Sequence, residues 1–258
     1  MSGGAAAVAD LLRWYPRVAR DLPWRQTTDP YAILVSEVML QQTQVVRVAP
    51  RYLAWLERWP TAEALAAAPL ADVLREWVGL GYNRRAVRLW EAAGVVASRG
   101  WPEDLRELPG VGPYTAAAVA SFAFGRQVAA VDTNARRVAQ RWGHGPAESV
   151  LPDGRAAEFN QAMMELGATV CGARRPRCDA CPIGACRSRG RVAPAPAGRA
   201  RGAARFEDTD RYARGRVVAA LAAGEELPDL SPERLARVLE ALVRDGLVVR
   251  DADGVRLP

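Results

Sequence analysis

Apolar residues recur along this chain at helical spacing, and two-residue alternation is almost absent until the C-terminal end. Tyr31 to Val48 carries one long apolar stripe. The segment opened by Pro60-Thr61 continues through Leu65, Leu70, Val73, Leu74 and Trp77 with the same period, so both stretches predict helices. Thr115 to Phe124 is nearly all small or apolar and stops at Gly125, the pattern of a buried helix with a glycine C-cap. Asp132 to Trp142 spaces Ala135, Val138 and Ala139 along one helical face. Most of residues 5–190 is therefore expected to be all-α, with no internal repeat.

Residues 191–205 turn to Arg, Pro, Ala and Gly, including Pro194 and Pro196, and predict an extended linker. A small module follows. Asp210 to Ala223 reads as an amphipathic helix, and Ser231 caps a second with Pro232 in its first turn, running to Gly246. Leu247-Val248-Val249-Arg250 and Val255-Arg256-Leu257 flank Asp251 to Gly254 as a hairpin. Helix, helix, hairpin is the order at the end of a winged-helix domain; a packing or dimerisation appendage fits the same pattern.

The 258 residues are 50% hydrophobic and 25% charged, which makes one large or two modest globular domains and excludes disorder throughout. All 35 basic residues are arginines, so no lysine is available for a Schiff base. The single histidine, His144, excludes a multi-histidine metal site, and no Ser or Cys motif near it supports a triad. A net charge of +6 and a pI of 9.6 favour an anionic partner, nucleic acid first, although a genome-wide arginine bias gives the same charge. Between Ala173 and Arg205 nine arginines face one acid, Asp179, a local excess of 9 − 1 = +8. This predicts a phosphate-binding strip and salt-dependent DNA affinity, while a solvated linker accounts for some of these positions. The first ten residues lack a signal-peptide pattern, and no apolar run approaches the roughly 18 residues of a membrane span. A cytoplasmic monomer is expected.

The four cysteines, Cys171, Cys178, Cys181 and Cys186, are spaced Cys-x6-Cys-x2-Cys-x4-Cys. That is too tight and local for a disulfide framework and reads as one metal site, where four thiolates suit either tetrahedral zinc or a [4Fe-4S] cluster. Leu108-Pro109-Gly110-Val111-Gly112-Pro113-Tyr114-Thr115 is a glycine turn leading into the buried helix. Gly110 and Gly112 are able to take positive φ and admit a phosphate to the free N–H groups of the helix start; a plain helix corner uses glycines in the same way. Ala129 to Asn134 sets Asp132 between an apolar run and a helix start, where an N-cap belongs.

Leu108 to Thr115 followed by Val131-Asp132-Thr133-Asn134 resembles the helix-hairpin-helix and catalytic aspartate of the endonuclease III superfamily of DNA glycosylases. The cysteine group sits where that superfamily carries a [4Fe-4S] cluster. Leu22-Pro23-Trp24-Arg25, Asp29-Pro30-Tyr31, the stretch Ser36 to Gln44, Gly79-Leu80-Gly81-Tyr82 and the stretch Phe159 to Gly167 narrow the resemblance to the adenine DNA glycosylase (MutY) family, over about residues 10–190. The last cysteine interval is one shorter than usual there, and Asn83 stands where many relatives have a second tyrosine. Residues 206–258 are too short and too helical for the Nudix-like β domain common in that family.

The resemblance implies a six-helix barrel with helix-hairpin-helix over residues 22–134. An iron-sulfur cluster domain would come from residues 1–21 and 135–190, the linker from 191–205 and the winged-helix-like module from 206–258, with DNA in the cleft between barrel and cluster domain. It implies Glu37 as the general acid that protonates adenine, and a buried carboxyl with raised pKa would suit that task. Asp132 would stay ionised beside the sugar, oriented by Asn134 and contacted by Tyr114. Tyr114 stands where bifunctional members place their lysine, so a monofunctional enzyme is implied. Arg25 and Gln161 would form the adenine pocket. Leu40, Gln41, Gln42 and Tyr82 would contact or wedge the DNA beside the flipped base, with Gly110, Gly112 and Thr115 in the phosphate grip. The cofactor would be one [4Fe-4S] cluster on Cys171, Cys178, Cys181 and Cys186, and the partner duplex DNA containing mismatched adenine. Two rivals remain: a thymine or uracil mismatch glycosylase of the same superfamily, and a non-catalytic iron-sulfur DNA-binding regulator.

Overall fold

The structure, a computed structural model, describes residues 3–192 and 205–258. Of the expected linker 191–205, residues 193–204 lie outside the described residues. The described residues form α1 (Gly3–Val18), α2 (Pro30–Leu40), α3 (Val45–Arg58), α4 (Ala62–Ala66), α5 (Leu70–Trp77), α6 (Arg84–Arg99), α7 (Pro113–Phe122), α8 (Thr133–Trp142), α9 (Ala156–Thr169), α10 (Asp210–Ala223) and α11 (Pro232–Arg244). A single antiparallel hairpin, β1 (Val249–Asp251) and β2 (Gly254–Arg256), pairs Val249 with Arg256. The all-α expectation holds, as do the two helices and hairpin of the C-terminal segment. Among the described residues no helix is long and apolar enough to cross a membrane.

Two long apolar stripes are broken where one helix each was expected. The stripe from Tyr31 divides into α2 and α3 at a turn containing Gln42, whose φ is +56°. The segment from Pro60 divides into α4 and α5 before Leu70, because Pro69 lacks an N–H donor and disfavours helical backbone at Ala68.

The chain forms two compact units. One comprises Met1–Ile33 with Gly112–Gly198. Its core packs Leu11 of α1 with Val138 and Trp142 of α8 and Phe159, Met163 and Leu166 of α9, and Cys171, Cys181 and Cys186 lie against that core. Asp10 of α1 accepts the Gly184 N–H at 3.0 Å, tying the first helix to the cysteine loop. The other unit comprises Leu34–Val111 with Arg199–Pro258. Trp55 of α3 lies at its centre, edge-on to Trp59 at 4.8 Å and to Trp77 of α5 at 5.5 Å. The C-terminal segment closes a core of its own around Val217, Val218, Val238 and Leu242, and α10 also packs on α5.

These boundaries differ from the expected 22–134, 135–190 and 206–258. The glycine turn is cut at Val111–Gly112, since α7 packs on α9, and the C-terminal segment groups with residues 34–111 through the α10–α5 contact.

Candidate active site and cysteine cavity

Asp132 is the N-cap of α8. Its Oδ1 accepts the Ala135 N–H at 2.6 Å and its Oδ2 accepts from Asn134 Nδ2 at 2.8 Å, so the carboxylate is fixed in rotation while remaining partly open to solvent. The approach to it is held from behind by Asn160, which is 2% exposed. Asn160 Oδ1 accepts the Ala130 N–H, and its Nδ2 donates to Ser121 Oγ and Val128 O, each at 2.9 Å. Asn134 Oδ1 in turn accepts from Arg137, whose guanidinium also donates to Gly167 O at 2.7 Å and Cys171 O at 2.9 Å. Asp132 and Asn134 are thus brought together as expected. Tyr114 sits in the first turn of α7 with its hydroxyl 3.8 Å from Met164 Sδ.

Arg25 and Gln161, expected in one pocket, fall into one polar network of the same unit. Gln161 Oε1 accepts the Tyr15 hydroxyl at 2.7 Å, and Arg25 lies 5.7 Å from the centre of the Tyr15 ring. Arg25 Nη2 donates to Glu165 at 2.7 Å, and Glu165, fully buried, also binds Arg20 at 2.7 Å. Burial pushes the Tyr15 phenol up from its ordinary value, and the nearby Arg25 charge opposes that shift.

In the other unit Glu37 is 7% exposed on α2, which is buried from Tyr31 to Met39. An ionisable group on such a helix is costly unless partnered. Gln42 and Tyr82 are the non-glycine residues with positive φ among those described, at +56° and +50°. Their two loops are held by Arg85. This guanidinium donates to the carbonyls of Val38, Met39 and Gln41 at 2.6–2.9 Å and to those of Leu80 and Gly81 at 2.8–3.0 Å. Burial pulls Arg85 down to about 10 from its usual value. Leu40 and Gln41 are half-buried at the same turn.

In the glycine turn only one glycine needs positive φ. Gly110 has φ +78°, and a Cβ there would lie 2.7 Å from Arg88 Cβ. Gly112 has φ −86° and open space around a Cβ position, so its part is to leave the surface before α7 clear. This corrects the expectation that both take positive φ. Thr115 faces inward at 3% exposure, which leaves Gly110, Gly112 and Pro113 as the exposed part of the turn.

Cys171, Cys178, Cys181 and Cys186 all line one cavity of about 30 Å³, together with Arg141, Arg177 and Arg189. Arg141 reaches the carbonyls of Gly172 and Ala173 at 2.8 and 3.0 Å and lies 3.4 Å from Cys171 Sγ. Burial pushes the Cys181 thiol up, and the neighbouring Cys186 and Cys171 add to it. Among the described residues no three His, Cys, Asp or Glu side chains converge on a single-ion site. Four sulfurs lining one cavity are a donor set that both a [4Fe-4S] core and a tetrahedral ion accept.

Arg85, Asn160, Glu165 and Arg137 escaped the sequence reading. Asn160 and Glu165 leave a faint signal as polar residues between buried Phe159, Met163 and Leu166 on α9; the arginines leave none in an arginine-rich chain.

Residues 35–157 match the HhH-GPD superfamily of base excision DNA repair proteins. An adenine DNA glycosylase of Mycolicibacterium smegmatis is 48% identical, over 95% of this chain and 93% of its own. A thermostable thymine-DNA glycosylase has a similar structure, with a TM-score of 0.66 and 32% identity over 70% of this chain and 93% of its own. A trapped endonuclease III–DNA covalent intermediate gives 0.61 and 26% over 70% and 92%. With its buried acid and capped aspartate, the chain belongs to the helix-hairpin-helix superfamily of base excision DNA repair glycosylases. Within that superfamily it belongs to the adenine DNA glycosylase family, and it is a DNA-binding enzyme.

Proposed function

We propose that the protein hydrolyses the N-glycosidic bond of adenine mispaired with 8-oxoguanine or guanine in duplex DNA and leaves the abasic site uncut. The observation that carries this is the Asp132 carboxylate, held by Ala135 N–H and Asn134 at the start of α8, in a chain 48% identical to an adenine DNA glycosylase. Glu37 donates a proton to a ring nitrogen of adenine, and the bonding pair of the C1′–N bond leaves with the base. The positive charge left on the deoxyribose is stabilised by Asp132, and water adds at C1′ with loss of a proton. Asn134 orients the carboxylate, and Tyr114 would contact it. Gln161, whose carbonyl is occupied by Tyr15, has its amide N–H groups available to the base. Arg25 shapes that pocket through Glu165. Leu40, Gln41, Gln42 and Tyr82 would meet the DNA at the mispair, and the turn around Gly110 and Gly112, with α7 anchored by Thr115, would hold a phosphate.

Cys171, Cys178, Cys181 and Cys186 would hold one [4Fe-4S] cluster, which when bound fixes the arginine-bearing loop as a structural tie. Iron and acid-labile sulfide assays of the purified protein check it; zinc in their place would overturn it.

The deciding experiment is single-turnover base release from duplexes with adenine opposite 8-oxoguanine or guanine, and with thymine or uracil opposite guanine, developed with alkali. Adenine release abolished by Glu37→Gln is expected. Release of thymine or uracil instead would establish the second reading, which the likeness to the thymine-DNA glycosylase favours.

A further inference from the structure

Beside the two strained residues the C-terminal segment builds a pocket that the glycosylase chemistry does not use. It holds about 800 Å³ and is lined by Gln42 and Tyr82 from the loops, Arg47 from α3, and Phe206, Arg211 and Tyr212 from the C-terminal segment. Arg211 lies between two aromatic rings, 4.8 Å from the centre of Tyr82 and 4.8 Å from that of Phe206, and it donates to the Tyr82 hydroxyl. Phe206 meets Tyr212 edge-on at 5.4 Å. Tyr82 and Phe206 are 38% and 41% exposed, large apolar surfaces left facing solvent.

The charges around this pocket are unequal. Arg84 and Arg214 share Asp245, whereas Arg47 and Arg211 have no carboxylate within ion-pair distance among the described residues. Uncompensated guanidinium next to part-exposed aromatic rings is chemistry that takes a nucleobase by stacking and its phosphate by a bidentate fork. A volume of this size holds a nucleotide, since small-ligand sites run from about 300 to 1,000 Å³. The position is fixed, because α10 packs on α5 and Leu242 and Leu247 form the pocket floor.

We infer that the C-terminal segment is part of the DNA interface: it supplies Phe206, Arg211 and Tyr212 to a pocket that binds one unstacked nucleotide of the duplex next to Tyr82. The base stacks on the exposed side of Phe206, and the phosphate is held by Arg47 and Arg211. This rests on the reading that the Gln42 and Tyr82 loops meet DNA, and not on which base is excised.

The test is equilibrium binding of the full-length protein to an adenine-mispaired duplex, followed across a salt series, for the parent, Arg211→Ala, Phe206→Ala and Arg250→Ala. Arg250 is exposed on β1, outside the pocket, and controls for loss of one charge. Arg211→Ala and Phe206→Ala are each expected to weaken binding roughly tenfold. Only Arg211→Ala should lower the slope of log affinity against log salt, by about 0.9. Thermal melting equal to the parent's shows that the exposed substitutions leave the fold intact. Parent-like affinity in both pocket variants, or losses no larger than that of Arg250→Ala, would overturn the inference. Loss in Arg211→Ala alone would overturn the nucleobase part. Binding is measured whatever base is released, so failure here and failure of the adenine reading are distinguishable.

Discussion

A single guanidinium decides the conformation of both strained loops. Arg85 bonds carbonyls at the end of α2 and in the loop after α5, where the Thr43 hydroxyl and the Trp77 indole reach some of the same oxygens. It therefore stabilises positive φ at Gln42 and Tyr82, a backbone state costing of order 1–3 kcal/mol per residue. Arg85→Met keeps the stem but removes the guanidinium from five carbonyls, and a loss of roughly 2–4 kcal/mol is expected in denaturant unfolding. Arg85→Lys should recover only part of it, because an ammonium lacks the planar fork. Asp132 caps α8, and substitution separates that from the role the proposed mechanism gives its charge. Asparagine caps a helix about as well as aspartate, so Asp132→Asn should change stability by less than about 1 kcal/mol. Single-turnover base release should nevertheless fall by at least 10²-fold, because the charge opposite the sugar is gone. A parallel loss of stability and activity would contradict the electrostatic role.

At the scale of elements, the close approach of α8 and α9 sets the carboxylate. A Cβ on Gly167 would come within 2.6 Å of Asn134 Cβ and 3.2 Å of its backbone, so α9 touches α8 directly behind the Asp132–Asn134 pair. Gly167→Ala must push the helices apart or turn Asn134 away. Overpacking of this kind costs about 1–3 kcal/mol. The variant should show that loss in thermal unfolding together with a fall in kcat, because the residue displaced is the one that holds Asp132. Unchanged turnover would mean that Asn134 does not orient the aspartate. The helix breaks belong to the same scale. Pro69 announces its break in the text, while the break after Leu40 depends on Arg85, which arrives from α6 and leaves no local mark.

For the whole molecule the absence of lysine is a chemical statement. A glycosylase that also cleaves the strand through a side-chain imine is trapped on DNA by borohydride, and that route needs a lysine. Borohydride treatment during turnover should give no covalent protein–DNA adduct through a lysine, and the abasic product should stay uncut until alkali is added; an efficient trapped adduct would contradict this. The net charge of +6, with its excess around the cysteine loop, makes affinity for any duplex fall steeply with salt.

The sequence by itself determined most of the elements and the family, while the candidate site residues came from their resemblance to that family. Helical periodicity, the caps at Asp132 and Ser231 and the terminal hairpin all appear where the residues put them, because these depend on contacts within a few positions of the chain. The cysteine spacing and the motifs around Glu37 and Asp132 were legible for the same reason. Contacts between distant segments were not. Asn160 behind Asp132, Glu165 on Arg25, Arg85 across two loops and Arg211 on Tyr82 join residues tens of positions apart. A buried or stacked polar residue acquires its meaning only from the partner that satisfies it. Packing alone chose those partners, and with them the division of the chain and the place of its C-terminal segment beside the strained loops.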